Sequence, residues 1–144
     1  MPIDQLEFTE LEKQISKKAK PALQLLALGL GKVHVIAISR DNCPACKRQK
    51  PKLDKLAKDM AKKHGDKVGF IRIHVKQPSG DVTESLRAKD VFGHYFYPTN
   101  LILFRTKDRG AVEYYRNSSP RMSELRRNIE TALKIAAMLA KETN

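Results

Sequence analysis

Two apolar runs rich in β-branched residues, VHVIAIS at 33–39 and VGFIRIHV at 68–75, stand on either side of a stretch with helical periodicity. Runs so short and so apolar suit strands covered on both faces, as the strands of a parallel sheet are. Between them, over about 43–63, Leu53, Leu56, Ala57 and Met60 recur at helical spacing. Strand, helix and strand in that order predict a crossover connection and parallel pairing of the two strands. The chain is thereby constrained to an α/β architecture in which helices cover a sheet.

The flanking segments extend this pattern. Thr9 and Glu12 have the spacing of a capping box, and Leu11, Ile15, Ala19, Ala22 and Leu26 follow at helical intervals. Pro21 interrupts that helix and should kink or split it near Lys20, and Gly29 and Gly31 mark its end. A short helix is expected over 81–91, ending near Gly93. A strand over 99–104, a turn at 107–110 and a strand over 111–115 read as an antiparallel hairpin. Ser119 is expected to cap a last helix with Pro120 at its first position; its apolar face is Met122, Leu125, Ile129, Leu133 and Ala136. The expected fold is a three-layer α/β sandwich, a mixed four- to five-stranded sheet with helices on both faces. Residues 3–8 are the candidate for the additional edge strand. One domain is expected over 1–144, with an N-terminal helical segment at 1–32 and a core at 33–140.

Composition narrows the function classes. With 144 residues, 41% hydrophobic and 31% charged, the chain can bury a core without covalent staples. Two cysteines are too few for a disulfide scaffold. The longest apolar stretch, at 21–30, is about ten residues and too short to cross a bilayer. Residues 1–8 carry acids where a secretory leader has a basic region, so no membrane association is expected and the cytoplasm is the expected location. The net charge of +12 favours acidic partners, an acidic protein among them. The lysines and arginines at 47, 48, 50, 52, 55, 58, 62 and 63 equally describe the solvent face of an amphipathic helix, with Asp54 and Asp59 interspersed. Without interleaved aromatic residues they do not make a nucleic-acid platform.

The chemistry concentrates in Asp41-Asn42-Cys43-Pro44-Ala45-Cys46-Lys47, where the first buried strand ends and the long helix begins. Asp41 or Asn42 can cap that helix, and Pro44 falls in its first turn, where the missing N–H is harmless. Cys43 then lies at the helix N-terminus, where the dipole and unpaired N–H groups favour an anion. A thiolate is the attacking species in disulfide exchange. Cys43 is the expected nucleophile, with Lys47 and Arg48 adding positive charge, and Cys46 is close enough to form the Cys43–Cys46 bond. A Cys-x-x-Cys pair also fits half of a zinc site or two small buried thiols. Zinc needs two further ligands, and His34, His64, His74 and His94 show no paired ligand spacing. No metal and no organic cofactor are expected.

Taken with Pro51, five residues after Cys46, and with Gly93-His94-Tyr95-Phe96-Tyr97-Pro98-Thr99, the pattern resembles the thioredoxin superfamily over about 33–133. The resemblance lies in Cys-x-x-Cys-Lys after a buried strand, the spaced helical proline, and Gly-x-x-x-x-Pro-Thr ahead of a hairpin. It implies a cis bond before Pro98, with Tyr97, Pro98 and Thr99 lining a substrate site in which the Tyr97 backbone pairs with an extended peptide. The tryptophan usual before the first cysteine is Asn42 here, the buried acid six residues before it is Ala37, and the dipeptide is Pro-Ala. A proline directly after the first cysteine is similar to glutaredoxins and DsbA-type oxidants. Asn100 intervenes before the apolar LILF. The implied activity is thiol–disulfide oxidoreduction: Cys43 attacks, Cys46 resolves, protein or small-molecule disulfides are the substrates, and a reductase or dithiol recharges the pair. The alternative is a basic docking module whose cysteines are non-catalytic or regulatory. Tyr95 and Phe96 fit either a substrate groove or core packing.

Overall fold

A computed structural model describes residues 2–142. The first strand, β1 (Ile3–Glu7), is followed by α1 (Phe8–Lys18) and α2 (Ala22–Leu26), then β2 (Val33–Arg40) and the long α3 (Pro44–His64). Next come β3 (Val68–Val75), α4 (Thr83–Phe92), β4 (Thr99–Thr106), β5 (Gly110–Asn117) and α5 (Met122–Glu142). One sheet of five strands runs in the order β1-β3-β2-β4-β5. β2 pairs parallel with β3 through α3, as the crossover requires, and β1 also pairs parallel with β3. β4 is antiparallel to both β2 and β5. This is the expected mixed sheet with the fifth, edge strand present.

Alternation along the central strands builds two cores. On β2, Val33, Val35 and Ala37 turn to one face and Ile36 and Ile38 to the other, as period-two side chains must. The first face packs against Leu53, Leu56 and Met60 of α3 and Leu125 and Ile129 of α5. The second packs against Phe8 and Leu11 of α1, Leu26 of α2, and Ala88 and Phe92 of α4.

Several local expectations are corrected. No side chain caps α1, which begins at Phe8 after Glu7. Glu12 is instead drawn 75 positions along the chain to Arg87, whose guanidinium donates to both its carboxylate oxygens at 2.9 and 3.0 Å. The N-terminal helix splits near Lys20 as expected: Ala19 turns left-handed at φ 52° and Pro21 opens α2. Residues 1–32 are not only helical, since β1 belongs to the sheet. Ser119 and Pro120 precede α5 and do not start it. The Ser119 N–H is bound by Asn117 Oδ1 at 3.0 Å, and Leu125 N–H donates back to the Arg121 carbonyl. Gly93, at φ 70°, ends α4 in a left-handed turn that few other residues adopt without cost, and it aims the chain at Pro98.

Candidate active site

Both cysteines are placed by the junction of β2 and α3. Asn42 adopts φ 56°, a conformation asparagine tolerates better than most residues. Cys43 is extended, and Pro44 takes the first helical position. The expected caps, Asp41 and Asn42, are both engaged elsewhere, and Cys43 itself is the N-cap: the Cys46 N–H donates to Cys43 Sγ at 3.2 Å. Asn42 Nδ2 reaches across to the Gln77 carbonyl at 2.8 Å, and Arg40 Nη1 donates to the carbonyls of Asp41 and Asn42. Cys43 and Cys46 are joined as a disulfide, with Cα atoms 5.2 Å apart. Cys43 is 3% exposed, whereas Cys46 is only half-buried.

The loop after α4 closes over the first sulfur. The Tyr97–Pro98 bond is cis, and the Tyr97 carbonyl oxygen lies 3.6 Å from Cys43 Sγ. In the dithiol state the Cys43 thiol can donate to it. Tyr97 is clamped by its surroundings: Ser85 Oγ donates to its hydroxyl at 3.1 Å, and the His94 ring meets its ring edge-on at 4.7 Å. The Arg40 guanidinium and the Lys89 ammonium lie over its face at 5.5 and 5.8 Å. Burial pushes the Tyr97 phenol above its ordinary value. His94, 3% exposed and with both ring nitrogens unpartnered, is pushed down to about 4 by burial, then by Lys89 and Arg116. It is neutral near pH 7 and packs as an aromatic ring.

Cys43, Cys46 and Tyr97 therefore come together. Pro98 is buried and lines a small hollow with Ala45, Arg48 and Gln49. Thr99 is 3% exposed, and its hydroxyl donates to the Phe96 carbonyl at 2.6 Å, so its side chain holds the loop. Tyr95 and Phe96 are 82% and 68% exposed and belong to neither core.

Two groups near the centre have no counterpart in the motif reading. Asn100, fully buried, is in register with Ala37 on β2. It exchanges two hydrogen bonds with Gln49 of α3: Asn100 Nδ2 to Gln49 Oε1 at 2.8 Å, and Gln49 Nε2 to Asn100 Oδ1 at 3.0 Å. This satisfied amide pair stands opposite Ala37, the position usually acidic in the resembled family, and pins the helix that carries the cysteines to the strand that follows Pro98. The one available sequence signal was a polar residue at the head of an apolar strand.

The second group is His74, near the end of β3. Its Nε2 lies 2.7 Å from Asp41 Oδ1 and its Nδ1 2.9 Å from Glu7 Oε1, and Asp41 Oδ2 accepts the Gln77 N–H at 3.0 Å. Burial lowers the affinity of His74 for its proton, but the hydrogen bonds of Glu7 and Asp41 outweigh it and raise the pKa above 6.5. The same hydrogen bond, helped by the Gln77 amide, lowers that of Asp41. A base with a raised pKa in the folded chain stabilises it fully below the unfolded value and loses that contribution as pH climbs past the folded one. The wild type should lose stability to urea as pH rises from about 6.5 through the raised folded-state pKa of His74, and His74→Gln should lose less over the same rise. Parallel pH profiles for the two would refute this role.

Among the described residues no group of three His, Cys, Asp or Glu side chains is arranged to hold a metal ion, and no helix is long and apolar enough to cross a membrane. No protein-family model and no curated protein matches the chain. Solved structures do. Thioredoxin of Trichomonas vaginalis superposes with a TM-score of 0.59 at 15% identity, covering 91% of this chain and 97% of that one. Thioredoxin NaTrxh of Nicotiana alata gives 0.57 at 22% identity, over 90% and 91%. A chain from the complex of ferredoxin:thioredoxin reductase with thioredoxin f2 gives 0.55 at 17% identity, over 90% and 94%. Likeness at these identities is a likeness of fold, and it agrees with the mixed five-stranded sheet covered by helices: the chain has the thioredoxin fold.

Proposed function

We propose that this protein reduces protein disulfides, with Cys43 as nucleophile, Cys46 as resolving thiol, and Tyr97, Pro98 and Thr99 forming the substrate-binding loop. The observation that carries the reading is the environment of Cys43 Sγ: it accepts the Cys46 N–H at 3.2 Å at the N-terminus of a 21-residue helix. Both features favour the thiolate. The Cys43 thiolate attacks one sulfur of the target disulfide and expels the other as a thiolate. Cys46 then attacks Cys43 Sγ, releasing the reduced target and leaving the Cys43–Cys46 disulfide. Two electrons from a reductase or a dithiol return the pair to its working state. The complex of thioredoxin f2 with ferredoxin:thioredoxin reductase supports a protein reductase as one such partner. No organic cofactor takes part. The cytoplasm, which keeps thiols reduced, suits a reductase.

The low exposure of Cys43, together with exposed Tyr95 and Phe96, favours a second reading, a docking module with idle cysteines. Equilibration in graded thiol buffers, with free thiols counted by alkylation and mass, separates the two. A reductase gives one reversible two-electron couple more reducing than about −200 mV, toward the value of about −270 mV typical of thioredoxin. A couple between about −120 and −200 mV would make the protein an oxidant or isomerase. A pair that forms no reversible disulfide would leave the docking module.

A further inference from the structure

We infer that the cleft between β1, the end of β3 and the first turns of α3 admits a small anionic thiol, which recharges the protein by attacking Cys46. The inference rests on the dithiol–disulfide reading above. Its first support is an asymmetry between the two ends of the disulfide. Cys43 is 3% exposed and its sulfur faces the Tyr97 carbonyl. Cys46 is half-buried and lines an open cleft of about 490 Å³, a lining to which Cys43 does not contribute. That volume is in the range of small-molecule sites.

Charge is the second support. Lys47 and Lys50 line the cleft, are exposed, and have no carboxylate partner among the described residues. Arg40, Arg72 and His74 line it as well. Asp41 is the one carboxylate in the lining, and its oxygens are taken by His74 and the Gln77 N–H. Nearby, Glu7 is held by His74 and Asp54 by Arg72. The field left over is positive and draws a thiol that carries a carboxylate or sulfonate.

Chemistry is the third. In disulfide exchange the sulfur with the lower thiol pKa leaves faster. When an incoming thiolate RS⁻ attacks Cys46 Sγ, the S–S bond breaks and Cys43 leaves as a thiolate already facing the Cys46 N–H and the helix N-terminus. The products are Cys46–S–SR and the Cys43 thiolate. A second RS⁻ attacks the outer sulfur of that adduct, releasing RSSR and the Cys46 thiolate, which takes a proton from water. Two electrons pass from two thiols to the protein. Attack on Cys43 would instead expel Cys46, whose sulfur accepts no hydrogen bond among the described residues. Disulfide substrate and recharging thiol thus approach different sulfurs from different sides, one past Tyr97 and the other past Lys47.

Oxidised full-length protein reacted briefly with limiting mercaptoethanesulfonate, acid-quenched and peptide-mapped should carry the adduct on Cys46. In the Lys47→Glu/Lys50→Glu double variant, the ratio of the reduction rate by mercaptoethanesulfonate to that by 2-mercaptoethanol should fall by about tenfold, the scale of local electrostatic steering. An adduct on Cys43, or an unchanged ratio, overturns the entry route and leaves the oxidoreductase reading standing. A disulfide that neither thiol reduces overturns both.

Discussion

Cys43→Ser is expected to lower the rate of insulin disulfide reduction to that of the buffer thiol alone. A serine hydroxyl at this position still accepts the Cys46 N–H but supplies no thiolate, so the first step is lost whatever the rest of the site does. Cys46→Ser should fail differently. It keeps the nucleophile and loses the resolving thiol, so the protein accumulates as a mixed disulfide with its substrate, visible as a mass increase that dithiothreitol removes. Full turnover by the Cys43 variant would end the proposed mechanism. Loss of activity in both without a trapped adduct in Cys46→Ser would mean that Cys43 is not the attacking sulfur.

Ile36→Ala is expected to cost about 2–5 kcal/mol in urea unfolding, the range for truncating a large aliphatic side chain in a close-packed core. Ile36 is fully buried at the centre of the sheet, in register with Ile71 on β3 and Leu101 on β4. No neighbouring element can move in to close the space without disturbing one of these pairings. Against a total stability of about 5–15 kcal/mol for a domain of this kind, such a loss is a large share. Lys55→Ala, on the exposed face of α3, should stay within about 0.5 kcal/mol of the wild type. Equal effects of the two would mean that the second core is not packed as described.

The parts of this fold that were legible in the sequence are those that local pattern determines. The runs at 33–39 and 68–75 became β2 and β3 almost to the residue, because β-branched apolar stretches with polar ends admit few alternatives. The position of Cys43 at a helix start followed from the end of the buried strand and from Pro44 in the first turn, although the cap proved to be Cys43 itself and not Asp41 or Asn42. Strand β1 was harder to read, since its five residues, IDQLE, bury only Ile3 and offer little alternation. The misplaced starts of α1 and α5 have different causes: Glu12 is taken up by Arg87, 75 positions away and beyond any local capping rule, whereas the Ser119 N–H is held by Asn117 Oδ1 two residues back and the helix starts only at Met122. The Asn100–Gln49 pair and the bridge from Glu7 through His74 to Asp41 were not legible, because each joins residues more than thirty positions apart.

That last bridge ties the beginning of the polypeptide to its reactive end. Glu7 closes the outermost strand, and through one imidazole it reaches the residue two positions before Cys43. Strand β1 thus reaches the cysteine loop in two places, through Glu7 by way of His74 and through Gln5 in the lining of the cleft beside Cys46. A substitution in this edge strand is therefore felt at the loop before Cys43 through His74 and Asp41, although no residue of the strand touches either sulfur.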